Sequence, residues 1–239
     1  MQEKNYFFDA EGDDRMQQQN AEKNNWAHLL DIALSPMKRP HRIPISLIDI
    51  GCHRGDMLKM AAEWLEPLEL HGVEPLDFAR KIAEMTNPSG TFYANIEDVP
   101  DERVDLAISH EVLYLIEDLR GWIGHLHRIL RPGGRGFIAL GSHAGNIAWM
   151  RWRSRLQAIN DLPSYAHKPI EILDMGSSAG FKMGLQYLHP ELGMQEAVDL
   201  DFDREVYYHP PENGWGEFIS AEEMLGWQKQ KLVFGFYKP

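Results

Sequence analysis

Cysteine is almost absent: Cys52 stands alone among 239 residues. That excludes an internal disulfide and any cysteine-rich zinc framework, and it leaves no mark of an oxidising compartment. Long apolar runs are missing too, since none approaches the about eighteen residues of a membrane span. The opening stretch, Met1-Gln-Glu-Lys-Asn-Tyr-Phe-Phe-Asp9, lacks the basic start and extended apolar core of a signal peptide. A soluble, cytoplasmic chain with no membrane partner is therefore expected. Positive charge is scarce as well: 24 Lys and Arg face 36 Asp and Glu, a formal net charge of -12. A polyanion needs a broad basic face, so nucleic acid is disfavoured as the main partner, although a local basic patch is compatible with this balance. No internal repeat or low-complexity tract is present, and no feature specifies an oligomeric state.

What the chain does have is alternation. With 44% hydrophobic residues, its length suits one α/β domain with added segments and is too short for two large domains. Residues 1 to 25 are polar apart from Tyr6-Phe7-Phe8, and Trp26, Leu29, Leu30, Ile32 and Leu34 have helical spacing. Strands are expected at Leu47 to Ile50, Leu68 to Val73, Thr91 to Ala94, Val104 to Ile108 and Gly136 to Leu140, with helices after Gly55, from Leu76 to Met85 and from about Asp118 to Leu130. The last helix should end at Arg131-Pro132-Gly133-Gly134, where proline stops it and the glycines turn the chain. Strands separated by helices in this rhythm predict a doubly wound, mainly parallel sheet.

Beyond Gly141 the rhythm loosens. Residues 144 to 160 and Ile170 to Ser178 read as helices, a strand runs from Phe181 to about Leu188, and Lys231 to Tyr237 forms a closing strand. The intervening forty or so residues lack strong periodicity, which is usual for lids or binding elements.

Chemistry concentrates in Ser46-Leu-Ile-Asp-Ile-Gly-Cys-His-Arg-Gly-Asp56 and, nineteen residues beyond Gly55, Glu74. An apolar run, a glycine-bearing turn, a helix and a second run ending in a carboxylate form the layout of a nucleotide-type cofactor site. A dinucleotide fold generally adds a third glycine and an open helix N-terminus for pyrophosphate. Here that glycine is missing and Asp56 puts negative charge where phosphate would approach. A ligand without phosphate fits better.

With Leu47-Ile-Asp-Ile-Gly-Cys-His-Arg-Gly55, Gly72-Val-Glu-Pro75, Asn95-Ile-Glu-Asp-Val-Pro100, Val104-Asp-Leu-Ala-Ile-Ser-His-Glu-Val-Leu113 and Leu130-Arg-Pro-Gly-Gly134 in order, the chain resembles the class I S-adenosylmethionine-dependent methyltransferases of small-molecule type. The resemblance covers about residues 46 to 140, with a weaker echo in Ala179-Gly-Phe181 and the closing strand. It implies a Rossmann-like, three-layer α/β/α fold: a seven-stranded, mainly parallel sheet with an antiparallel last strand. Residues 1–45 would be an N-terminal helical segment or lid, and 46–239 the cofactor domain, with inserts at about 142–178 and 190–230. By the same resemblance the backbone at Gly51, Cys52 and Gly55 would approach the methionine part of the cofactor, with Asp49 ordering the turn. Glu74 would accept hydrogen bonds from the ribose hydroxyls. Pro75 and Leu76 would flank the adenine, Asn95 and the Ile96 amide would read its edge, and Ser109 and His110 would line the methionine side. His53 stands where the family usually has a second glycine, so its side chain must avoid the cofactor or its backbone must take unfavourable angles.

Methyl transfer asks mainly for alignment, and a base only when the acceptor must lose a proton. Candidate catalytic groups are His110 and Glu111 after the fourth strand and His143 after the fifth, with His189 further along; Glu111 can equally cap the next helix. Tyr114 reads as core. His125 and His127 lie two apart on a helix and face different sides, which disfavours a metal pair. Arg151, Arg153 and Arg155 can hold an anionic substrate group or snorkel over a Trp-lined face. Tyr6-Phe7-Phe8, Trp149, Trp152, Tyr207, Tyr208, Trp215 and Phe218 can enclose an apolar or cationic acceptor, or pack as lid and core. A methyltransferase for a small-molecule acceptor is the leading expectation. The alternatives are an RNA or protein methyltransferase and a noncatalytic module on the same fold.

Overall fold

The computed structural model describes residues 13–35, 45–65, 68–150, 153, 164–190 and 226–239. Its centre is β1 (Ile45–Ile50), a β-branched and leucine-rich run in which every residue is buried. Burial on both faces is what a central parallel strand requires, and β1 pairs in parallel with β2 (Leu68–Val73) on one side and β4 (Val104–His110) on the other. Strands β3 (Thr91–Tyr93), β5 (Leu130–Leu140), β6 (Lys182–Tyr187) and β7 (Leu232–Tyr237) complete a seven-stranded sheet in the order β3-β2-β1-β4-β5-β7-β6. Only β7 runs against its neighbours, antiparallel to both β5 and β6. The chain order reverses between β1 and β4, the position at which such sheets open a crevice at the carboxyl ends of their strands.

The period of two along each strand divides the core into two layers. Ile45 and Leu47 of β1 face a cluster with Leu29, Leu30, Ala33 and Leu34 of helix α1 (Asp13–Leu34), Leu58 and Ala61 of α2 (Asp56–Trp64), and Ala83 of α3 (Asp77–Thr86). Ile48 and Ile50 face the other way, onto Ile123, Leu126 and Ile129 of α4 (Leu119–Ile129) and Ile172 of α5 (Pro169–Ser178). Helices on both faces make the three-layer α/β/α architecture. Among the described residues no helix is long and apolar enough to cross a membrane.

Several expected boundaries move. Helix α1 starts at Asp13, well before the apolar stripe at 26–34, because the Gln, Glu, Lys and Ala of the polar stretch are adequate helix formers. Strand β4 extends two residues past Ile108, which places Ser109 and His110 on the strand itself. Arg131-Pro132-Gly133-Gly134 does not precede the fifth strand but interrupts it. Val104 pairs with Leu130, yet Leu106 pairs with Arg135, so these four residues bulge out of the ladder. Proline has no N–H to give the ladder and Gly133 takes φ 80°, a conformation glycine adopts without penalty. The bulge is held by Lys238, just after β7: Gly133 donates to Lys238 O at 2.8 Å and Lys238 donates to Gly134 O at 3.0 Å. Of the helix expected over 144–160, residues 147–150 and 153 are helical and the remainder lies outside the described residues.

Candidate functional site

The glycine turn is stitched to the end of β2. The amides of Gly51 and Cys52 both donate to Val73 O, at 2.8 and 3.0 Å, and Gly55 donates to Cys52 O at 2.8 Å. Gly51 has φ 83° and Gly55 φ 79°. A Cβ on Gly51 would collide with the Val112 side chain, so glycine is required there by conformation and by space. His53 also lies in the left-handed region, at φ 46°, so of the two alternatives the sequence left open its backbone takes the unfavourable angles. Its ring meets Phe78 edge-on at 6.5 Å. From the far side, Asn87 Nδ2 donates to Gly55 O at 3.0 Å and ties the turn to the end of α3.

Glu74 sits beside this turn with only 6% exposure. Its Oε2 accepts the His53 N–H and its Oε1 the Leu76 N–H, each at 2.9 Å, while Arg80 donates to its backbone carbonyl at 2.8 Å. Burial pushes the Glu74 carboxyl above its ordinary value, and the two amides and Arg80 work against that push. Asp49 is more deeply buried, and its Oδ1 has no hydrogen-bond partner among the described residues. Burial, then the nearby Glu74 charge, drive its carboxyl well upward. Cys52 is 5% exposed and burial likewise raises its thiol, which makes it an inert wall rather than a nucleophile. Pro75 is exposed between Glu74 and Leu76.

Asn95 is exposed at the end of the β3 segment, where its N–H and Nδ2 both donate to Asp98 Oδ2, at 3.1 and 3.3 Å; Ile96 is buried behind it. Ser109 is fully buried and its hydroxyl donates to Ile50 O at 2.7 Å, locking β4 to β1 at the crevice. The turn, Glu74, Asn95, Ser109 and His110 thus all lie at carboxyl ends of parallel strands.

A second group forms where β4, β5 and β7 meet. Glu111, in the left-handed region at φ 55°, accepts from Gly141 N at 2.8 Å and Ser142 N at 3.3 Å and pairs with Lys231 Nζ at 2.7 Å. Burial would raise its carboxyl, but Lys231, then His110 and the hydrogen bonds, pull it down to about 2. Lys231 Nζ also lies 3.2 Å from His110 Nε2 and 5.7 Å from the Trp227 ring centre. Burial, with the Lys231 charge second, lowers His110 to about 3. His143 is 3% exposed, and both ring nitrogens are engaged: Nε2 donates to Gln230 O at 2.9 Å and Nδ1 accepts from Gly145 N at 3.2 Å. His189 Nε2 lies 2.6 Å from Asn25 Oδ1 of α1, and the His28 ring meets it edge-on at 4.6 Å.

Sequence reasoning missed Lys231, which is 3% exposed. The available signal was a lysine one residue before an apolar closing strand, where a charge at the strand mouth needs a partner. Trp149 is fully buried against Tyr114 and Trp227, so it belongs to the core rather than to an acceptor enclosure. Arg153 is spent on Ser164, donating from Nε to its carbonyl at 2.9 Å. Tyr6-Phe7-Phe8, Arg151, Trp152, Arg155, Tyr207, Tyr208, Trp215 and Phe218 lie outside the described residues. Among the described residues no group of three His, Cys, Asp or Glu side chains is placed to hold a metal ion.

A family model described as a methyltransferase domain matches residues 18–230. No curated protein matches the chain. Among solved structures, a chain of the complex between the Haloferax volcanii Trm112 methyltransferase activator and a methyltransferase is 18% identical, with 93% of each chain covered and a TM-score of 0.68. Geranyl diphosphate C-methyltransferase from Streptomyces coelicolor A3(2), solved with Mg2+, geranyl diphosphate and S-adenosyl-L-homocysteine, is 15% identical; the match covers 97% of this chain and 84% of that one, with a TM-score of 0.64. An S-adenosylmethionine-dependent methyltransferase from Mesorhizobium loti is 16% identical over 90% and 97% of the two chains, with a TM-score of 0.62. At these identities the likeness to the solved structures is one of fold.

Proposed function

Because the chain belongs to the methyltransferase-domain family, as a class I S-adenosylmethionine-dependent methyltransferase, we propose that it transfers the cofactor's methyl group to a small-molecule acceptor in the cytoplasm. The observation that carries the cofactor half is Glu74 beside the glycine turn. Each of its oxygens accepts one amide, and a carboxylate with about four lone-pair positions keeps capacity for the two hydroxyls of a ribose. Asp49 Oδ1, buried and unpartnered among the described residues, adds a second acceptor under the same turn. The donor set therefore fits S-adenosylmethionine: acceptors for the ribose, a turn whose glycines allow close backbone approach, and Asp56 to discourage a phosphate.

The bound cofactor supplies a methyl group already activated on a sulfonium. The chain's work is to hold it in line with the acceptor and to exclude water, which is where most of the acceleration in such a transfer originates. In this reading Gly51, Cys52 and Gly55 shape the methionine side, Pro75 flanks the adenine, and Asn95 and Ile96 meet its edge. Ser109 acts through its bond to Ile50, and His110 faces the reacting centre. Glu111 and His143 are positioning residues, because the first is spent on two amides and a lysine and the second on a carbonyl and an amide. The cover over the acceptor would come from residues 1–45 and the inserts at about 142–178 and 190–230, apart from the α1, Trp149 and α5 positions committed to the core.

A small acceptor is supported by the net charge of -12 and by the fold likeness to a methyltransferase named for geranyl diphosphate. The second reading is a macromolecular acceptor, RNA or protein, and the likeness to a chain solved with the Trm112 methyltransferase activator adds a partner protein to it. Incubation with methyl-labelled S-adenosylmethionine and a cell extract split by size tests the choice. Label in the small-molecule fraction supports the proposal, and label confined to protein or RNA contradicts it.

A further inference from the structure

His110 and Lys231 are 121 residues apart in sequence and meet at the carboxyl end of β4, Nζ to Nε2 at 3.2 Å. Lys231 Nζ is at the same time 2.7 Å from Glu111 Oε1, and that carboxylate also receives the Gly141 and Ser142 amides. An ammonium held by a carboxylate has three N–H donors and no lone pair. The imidazole nitrogen facing it must therefore accept, and the single proton of a neutral ring then resides on Nδ1.

We propose that Lys231 is a positioning residue that locks His110 as the neutral Nδ1–H tautomer, so that His110 offers the bound ligands a hydrogen-bond donor and no proton-accepting nitrogen. The inference rests on the reading above that the end of β4 faces cofactor and acceptor. It restricts the acceptor chemistry: the methylated atom must already carry a usable electron pair at neutral pH, as a carboxylate oxygen or a thioether sulfur does, or lose its proton to a group other than His110.

The charged and titratable groups around His110 come from several elements. Lys231 faces it from the start of β7, Glu111 follows it on the chain, and His189 approaches from the end of β6, itself met by Asn25 and His28 of α1. Burial opposes a proton on the ring most, Lys231 next and His189 least, while Glu111 favours one.

The test is nuclear magnetic resonance of the full chain labelled with 15N-histidine, without ligand, with the His110 signals assigned by their loss in His110→Phe. The expected spectrum shows a protonated Nδ1 and an unprotonated Nε2 from pH 8 down to pH 5. In Lys231→Met, where no ammonium faces the ring, an Nε2–H form should appear. A protonated Nε2 in the neutral wild-type ring overturns the proposal, and so does an unchanged tautomer in a folded Lys231→Met protein. Should that variant not fold, the wild-type tautomer decides by itself. Failure of S-adenosylmethionine to bind in a separate titration would overturn the functional reading while leaving the tautomer result standing.

Discussion

The Glu111 carboxylate and the Lys231 ammonium lie 2.7 Å apart and join the end of β4 to the start of β7 across the top of β5. Because Lys231 is almost fully buried, the pair matters less for its attraction than for what its loss would expose. Breaking a buried pair by removing one partner typically costs about 3–5 kcal/mol, since the other charge stays desolvated. Glu111→Gln should lower the unfolding free energy in urea by about 3 kcal/mol. The wild-type pair also has a pH signature. The folded Glu111 carboxyl lies at about 2, below its ordinary 4.5, so its stabilisation is complete above 4.5 and is lost as the pH falls from there toward 2. That acid limb should be absent from the variant.

His71 gives a second pH dependence, at a different place and in a higher window. Its ring is fully buried in β2, stacked 6.2 Å from Tyr93, and lowered to about 4 by burial and then by Arg103 and Arg131, with Glu69 opposing. Between pH 6.5 and 4 the unfolded chain binds a proton there that the folded chain refuses. Stability should fall as the pH drops through that window, by at most about 1.4 kcal/mol per pH unit. His71→Leu should flatten the slope of unfolding free energy against pH in that range; an unchanged slope would assign the effect to other histidines.

Gly51→Ala probes the turn. The new Cβ must adopt φ near 83° and displace the Val112 side chain. The left-handed backbone costs about 1–2 kcal/mol and the overpacking about 1–3 kcal/mol. Urea unfolding should show a loss of about 2–5 kcal/mol, with weakened cofactor binding in the fraction that remains folded.

The sheet was legible in the sequence because its signals are local. Apolar runs at 47–50 and 104–108, the first stopped by Gly51 and both followed in the chain by amphipathic helices, need no tertiary information. The bulge at 131–134 was not legible, because proline and paired glycines after a helix look the same whether they turn the chain or interrupt a strand. What decides is the pairing of Val104 with Leu130 and the clasp to Lys238, both long-range. The same distinction holds at the site. Glu74 was readable from its spacing to the turn, and its bond to the His53 amide follows from that placement. The Glu111–Lys231–His110 group was not, since a lysine 120 residues away gives no local sign of its partner. The aromatic cover expected over the acceptor falls mainly outside the described residues, and Trp149, the described member, is core.

The central claim is that the crevice beside Glu74 holds S-adenosylmethionine, and calorimetric titration of the full chain with that cofactor tests it most directly. Saturable binding is predicted, weakened by about 1.5–3 kcal/mol in Glu74→Ala through loss of charge-assisted hydrogen bonds. No binding to the folded wild-type chain at millimolar cofactor, or an affinity unaltered by Glu74→Ala, would contradict it.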